Sequence, residues 1–408
     1  MSWQTRPLSE IADFVLGKML DQAKNRGEPL PYLANVNVRW GDFDLSDLRE
    51  MRFEPHEVER YGLKPGDIVM CEGGEPGRCA LWKGQRDGMM IQKALHRIRP
   101  HAGLDSTFLY YAFLNIGKQN GFAPFFTGAT IKHLPREQLA RVPIRFPEWP
   151  EQKAIAVVLA NYDDLIATNQ RRMALLEDAA RRLYREWFVH LRFPGHESVV
   201  VNDGVPERWR KQTLASVADV NARSIGARDR PDSVLYIDIS TVSTGLIGEV
   251  TPYAFADAPG RARRRVVHGD VIWSCVRPNR RSYALIWEPD ERLVASTGFA
   301  VLSATGVPFS YLYFTTTTDT FVGHLEQNAT GAAYPAVTAK TFEDAEILVP
   351  DGDTLAAFDH SVLPQLEQTE FLKQQNRALA QARDLLLPKL MSGQLDVSGI
   401  RLPEEATA

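Results

Sequence analysis

The chain has 408 residues, 44% apolar and 24% charged, the composition of a soluble globular protein of two or three domains. No apolar run reaches the ~18 residues of a transmembrane helix, the amino terminus lacks the apolar core of a signal peptide, and Cys71, Cys79 and Cys275 have no metal-ligand spacing, so a cytoplasmic location is expected. A net charge of −4 speaks against a free-standing, non-specific nucleic-acid binder and moves the question to local charge.

Residues 1–147 read as a mixed, β-rich domain. Asp67 to Cys71 is a buried-strand pattern, entered through Pro65-Gly66 and left through Gly73-Gly74. Ala94 to Arg99 alternates less cleanly and stops at Pro100. Thr107 to Ile116, with Phe108, Leu109, Tyr111, Ala112 and Leu114, predicts a helix packed on the sheet.

Residues 148–190 hold the clearest element. Glu151 to Phe188 contains neither glycine nor proline, and Pro150 precedes it where a first helical position tolerates proline. Ile155, Leu159, Tyr162, Ile166, Asn169, Met173, Leu176, Ala180, Leu183 and Trp187 fall at alternating steps of four and three, a heptad seam. Asn169 is its one polar interruption, of the kind that fixes register against a single partner. At ~1.5 Å per residue the helix runs roughly 55 Å.

Residues 191–350 then repeat the opening of the chain. Trp3 to Asp13 recurs as Trp209 to Asp219, and Gly66-Asp67-Ile68-Val69 recurs 203 residues on as Gly269-Asp270-Val271-Ile272. Thr127-Gly128-Ala129 recurs as Thr330-Gly331-Ala332, and Phe146-Pro147 as Val349-Pro350. Val271 to Cys275 is the matching strand, and Thr315 to Thr318 is a β-prone polar tract of unassigned role. A period this long implies two homologous globular units and an internal pseudo-twofold, which suits a long, nearly twofold ligand such as duplex DNA. Arg261, Arg263, Arg264, Arg265, Arg277, Arg280 and Arg281 stand against a single acid, Asp270, and form the one strongly basic stretch.

Residues 351–395 carry a second, poorer seam: Phe358, Val362, Gln365, Thr369, Leu372, Asn376, Leu379, Arg383, Leu386 and Leu390. Pro364 and Pro388 are expected to start and stop its straight section. Paired antiparallel, the two helices would make one rod with a globular unit at either end; alternatively each packs on its own domain. Residues 396–408 form a tail.

The sequence has no Asn-Pro-Pro or Asp-Pro-Pro corner for a flipped base, no Walker A loop, no His-Glu-x-x-His and no Gly-x-Ser-x-Gly. Cys71, between a strand and a glycine turn, reads better as a buried hydrophobe than as a nucleophile. The chain is expected to be non-catalytic and to hold no metal. A self-sufficient enzyme on a duplicated fold is the less supported reading.

Two stretches carry a resemblance. Phe146-Pro147 through Ile155, Leu159 through Ile166, and Leu183-Tyr184-Arg185-Glu186-Trp187-Phe188 resemble the central conserved region of type I restriction-modification specificity subunits. Leu385 through Leu395 is similar to their second conserved region, and Leu63 to Val69 and Arg261 to Asp270 to their target recognition domains. The resemblance implies an α+β fold: two homologous target recognition domains (1–147 and 191–350) joined by two long conserved helices forming an antiparallel coiled coil with pseudo-twofold symmetry. It also implies a reader of bipartite double-stranded DNA. Methylation with S-adenosylmethionine would come from modification subunits, and translocation and cleavage with ATP and Mg from restriction subunits. A DNA-binding regulator or decoy without a methylase remains the alternative. Arginine and lysine reach guanine, while asparagine and glutamine reach adenine. The candidate DNA contacts are therefore Asn35, Asn37, Arg39, Arg78, Gln92 and Lys93 in the first domain, and Arg263, Arg264, Arg265, Arg277, Asn279, Arg280 and Arg281 in the second.

Overall fold

The computed structural model describes residues 3–397, except 20, 22–24, 227 and 230, and residue 399. The chain divides into two compact units, Met1–Thr168 with Gln375–Ala408, and Asn169–Gln374.

In the first unit an antiparallel four-stranded sheet runs in the order Ala12–Leu16, Leu95–Pro100, Ile68–Cys71, Cys79–Leu81. Beside it in sequence space, Glu28–Leu33 pairs antiparallel with Arg49–Phe53 and parallel with Met90–Ile91. Gln4–Pro7 and Pro143–Phe146 close the unit as an antiparallel pair. Helix Ser106–Lys118 starts at Asp105, whose carboxylate accepts from the Phe108 amide at 2.8 Å. Phe108, Leu109 and Phe113 bury against Ile68, Met70 and Ile98 of the sheet. The predicted helix and both predicted strands are thus present, with ends shifted by a residue or two.

The second unit repeats the plan. Its first sheet runs Ala218–Val220, Phe299–Ala304, Val271–Ser274, Tyr283–Leu285, again antiparallel. In its second sheet Ser233–Ile237 pairs antiparallel with Thr251–Ala254 and parallel with Leu293–Ser296, which pairs with Ala262–Arg265. Arg210–Thr213 pairs with Glu346–Val349 as the closing couple. The repeated Gly-Asp motif has a structural cause. Asp67 and Asp270, both buried, accept from the amides of Lys64 (2.7 Å) and Val267 (2.8 Å), shaping the turn that opens the central strand. Each carboxylate is neutralised by an arginine, Arg99 at 2.7 Å and Arg223 at 2.9 Å.

The threonine tract is not a strand. Thr315 and Thr316 end helix Phe309–Thr316, and the Thr316 and Thr317 hydroxyls donate at 2.8 Å to the carbonyls of Leu312 and Tyr313. Thr318 caps the next helix, Asp319–Gln327. Such i−4 bonding satisfies buried hydroxyls inside a helix, against their intrinsic β preference.

The first long helix spans Trp149–Tyr184 and continues as a wider turn, Arg185–Val189; the second spans Gly352–Met391. Within the first unit their adjoining parts run antiparallel: Asn376 Nδ2 donates to the Ile166 carbonyl at 3.3 Å, and Arg383 Nη1 meets Asp163 at 2.5 Å. Within the second unit Tyr184 and Trp187 pack on the Phe358 ring, with centroids 6.0 and 5.9 Å apart. Within each unit the helix segments also enter the core. Ile155, Leu159, Leu387 and Leu390 belong to the core of the first unit, and Tyr184, Phe358, Val362 and Leu366 to that of the second.

Three helical expectations need correction. Helix Gly352–Met391 passes through Pro364 and Pro388. The buried neighbours Leu355, Phe358, Val362 and Leu366 supply packing energy exceeding the ~3 kcal/mol cost of an interior proline. Burial falls on Leu366 and Leu387, whereas Gln365 and Leu386 are half-buried; the apolar side chain takes the inward site, and the Gln365 amide donates to Ser361 O at 3.1 Å. The seam is also driest at its ends: Tyr162, Ile166, Met173, Leu176, Leu183, Asn376 and Leu379 are only half-buried, while Asn169 and Leu372 are buried. Among the described residues no helix is long and apolar enough to cross a membrane.

Candidate nucleic-acid interface

Three segments converge in each unit, at positions 203 or 204 residues apart. In the first unit they are the short turn Asn35–Asn37, the turn after strand Ile68–Cys71, and the hairpin 127–133. Arg78 Nη2 donates to the Asn35 carbonyl at 2.9 Å, and Gly73 bridges to His133. In the second unit they are the turn Ile239–Thr241, the turn after strand Val271–Ser274, and the hairpin 330–336. Val276 bridges to Ala336, and Asp238, Ser240, Arg277, Arg280, Tyr334 and Arg261 line one cleft of about 430 Å³.

The two hairpins share a backbone. Thr127 and His133 exchange N–H···O bonds at 2.8 and 2.9 Å, as Thr330 and Ala336 do at 2.9 Å. Gly128 (φ +90°) and Gly331 (φ +98°) occupy the left-handed position that closes each; a Cβ would meet the Ile131 carbonyl at 2.2 Å or the Tyr334 carbonyl at 3.0 Å. These stems explain the repeated Thr-Gly-Ala. Beyond them the sequences diverge, and each tip exposes one large apolar side chain, Ile131 (67%) or Tyr334 (69%).

The arginine stretch is one cluster in sequence and several in space. Arg263 bonds its neighbour's carbonyl and stacks on Phe255 at 5.0 Å, Arg264 donates to Ser224 at 3.1 Å, and Arg265 lies 3.7 Å from Asp229. Arg281 pairs with Asp319 at 2.5 Å. These four are therefore engaged away from the cleft: Arg263, Arg264 and Arg265 by their place on the edge strand Ala262–Arg265 of the second sheet, and Arg281 by its ion pair with the first residue of helix Asp319–Gln327. Arg277 and Arg280 stay on it, joined by Arg261, and Asn279 is exposed beside them. Hydrogen bonds from Ser240, with the charge of Arg261 adding, hold the Asp238 carboxyl below the usual carboxylate range.

The first-unit candidates divide similarly. Asn37 is buried and spends its amide on Ala34 N, Asp44 O and Asp47 O, so it shapes the turn and is not free to read a base. Arg78 is held by Glu75 at 2.6 Å and by Asn35 O. Asn35 is half-buried against Gly74, and exposed Arg39 reaches Asp44 at 3.3 Å. Gln92 and Lys93 sit in the tight turn before Leu95, with Lys93 exposed. Ile131, Lys132 and Tyr334, exposed on the tips, are not among the candidates drawn from the sequence. The signal was there, in a constant Thr-Gly-Ala followed by unlike residues.

Known proteins resemble both the sequence and the plan. The family described as type I restriction modification DNA specificity domain matches residues 1–178. The type I restriction enzyme MjaIX specificity subunit of Methanocaldococcus jannaschii is 22% identical over 97% of this chain and 94% of its own length. The HindI specificity subunit of Haemophilus influenzae is 21% identical over 95% of this chain and 100% of its own. A crystal structure of a type I restriction-modification S subunit from M. genitalium shares the fold, with a TM-score of 0.56, 15% identity and 96% coverage of both chains.

Proposed function

We propose that this chain, a member of the type I restriction-modification specificity family, is the sequence-specific DNA-binding subunit of a type I complex. Each unit reads one half of a bipartite target. The carrying observation is the duplicated interface: two units with one strand plan, each bringing the same three segments together, with unlike side chains at the tips. Unlike tips on like scaffolds suit an asymmetric target, two different half-sites around an unread spacer.

In this reading the chain has no catalytic residues. Adenine methylation belongs to modification subunits with S-adenosylmethionine, and translocation and cleavage to restriction subunits with ATP and Mg. The modest net charge fits, since partner subunits can supply phosphate contacts. The test is co-expression with the modification subunits of its own system in a host lacking adenine methylation, read by methylome sequencing. One bipartite, asymmetric motif is expected, appearing only when both components are present. Methyl incorporation by the isolated chain at the rate of the complex would overturn the reading.

A further inference from the structure

Arg277 is the residue of the interface whose backbone is hardest to explain by folding alone. Its φ of +53° lies in the left-handed region, and its counterpart 203 residues earlier is Gly74, φ +80°. A non-glycine residue there costs about 1 kcal/mol or more, and such strain concentrates at binding sites. Folding is already served by glycine in the first unit, so the second unit bears this cost for its side chain. That side chain is placed with care. The Arg277 amide donates to the Pro335 carbonyl at 2.7 Å, its Nη2 lies 3.4 Å from the Ala333 carbonyl, and its guanidinium covers the Tyr334 ring at 4.6 Å. Val337 N donates to Cys275 O at 2.9 Å, tying the hairpin to the same turn. The outcome is a tip tied to the turn that leaves an aromatic ring in water with an arginine stacked on it. Stacking leaves the guanidinium donors that Ala333 does not take at the edge of the ring, so the pair presents a flat apolar surface beside N–H donors.

We propose that the hairpin tips are the specificity-determining contacts of the two half-sites: Tyr334 with Arg277 in the second unit, and Ile131 with Lys132 in the first. The inference rests on the DNA-reading function and names its reading elements. In the major groove the guanidinium fork matches the O6 and N7 acceptors of guanine, and the Tyr334 ring meets an adjoining thymine methyl. On the first tip Ile131 offers only an apolar contact, and Lys132, exposed beside it, offers a point charge to a guanine acceptor. The unlike chemistry of the tips makes the half-sites unlike.

The test is the methylated motif of the complete complex carrying Tyr334→Ala, Ile131→Ala or Tyr334→Phe. Tyr334→Ala is expected to relax one position of one half-site, raising use of the wrong base about 10-fold, or about 1.4 kcal/mol. Ile131→Ala should relax the other half-site, and Tyr334→Phe should keep the motif because the ring remains. Both side chains are exposed, so folding should be unaffected, as thermal unfolding would verify. An unchanged motif in both alanine variants, or an equal loss at every site, would overturn the inference while leaving the function standing. A parent complex with no bipartite motif would instead overturn the function.

Discussion

Arg383 breaks the apolar pattern of the second long helix, and replacing its partner shows what it does there. Its side chain is 20% exposed and its guanidinium meets Asp163, whose side chain is 26% exposed, at 2.5 Å. The other Asp163 oxygen accepts from the Tyr111 hydroxyl at 2.6 Å, so Asp163 joins the second long helix to the first and to helix Ser106–Lys118. Burial alone would depress the Arg383 guanidinium, but hydrogen bonds to Asp163 and Asp384 outweigh it and raise it above the ordinary arginine value. Asp163→Ala strands both partners. Removing one member of a fully buried pair costs about 3–5 kcal/mol. Here partial exposure and the surviving contact of Arg383 to Asp384 at 2.9 Å reduce that to about 2 kcal/mol. The orphaned Tyr111 hydroxyl adds about 1 kcal/mol. Urea unfolding of the parent, both single variants and Asp163→Ala/Arg383→Ala should show a total near 3 kcal/mol for Asp163→Ala and a coupling of about 2 kcal/mol between the pair. A cost below about 0.5 kcal/mol, or no coupling, would refute the argument and make Arg383 an ordinary surface residue.

Three further outcomes are expected. Pro364→Ala restores an interior helix hydrogen bond at an exposed position and should stabilise the chain by about 1–2 kcal/mol, part of the ~3 kcal/mol proline penalty; unchanged or lower stability would show that proline serves a bend. Asp351 caps the second long helix through Thr354 and accepts from Trp209 Nε1 at 3.0 Å. Burial pushes its carboxyl up, yet the hydrogen bonds from Thr354 and Trp209 prevail and leave it below its ordinary 3.8. A depressed carboxyl stabilises fully above the unfolded value and loses that contribution as pH falls through the folded one. Asp351→Ala should therefore cost about 1 kcal/mol near neutral pH and progressively less below about pH 4; a cost independent of pH would contradict this. Gly128→Val places a Cβ against the Ile131 carbonyl and should open the first hairpin alone. Its complex should lose one half-site with melting nearly unchanged, and loss of both half-sites would contradict the assignment.

Much was legible in the sequence because its signals are local or repeated. The heptad spacing of Ile155 to Trp187 and the buried runs at Ile68–Cys71 and Val271–Ser274 follow from side-chain periodicity, which the backbone geometry of helices and strands enforces. The 203-residue repeat revealed two units with one plan, because the turns that shape a fold constrain residue type wherever they occur. What stayed hidden was set by neighbours distant in the chain. Pro364 continues a helix because the core of its unit holds the flanking turns, and Thr315 and Thr316 end a helix because it is buried in that core, with the Thr315 hydroxyl accepting from Tyr184. Asn37 is taken up by its own turn, and four of seven clustered arginines meet partners elsewhere, three from an edge strand and Arg281 through a helix start, so the fold scatters what the sequence places together. Local sequence marks most of the elements; tertiary packing decides the exceptions and which side chains remain unspent, and those are what a recognition surface is made of.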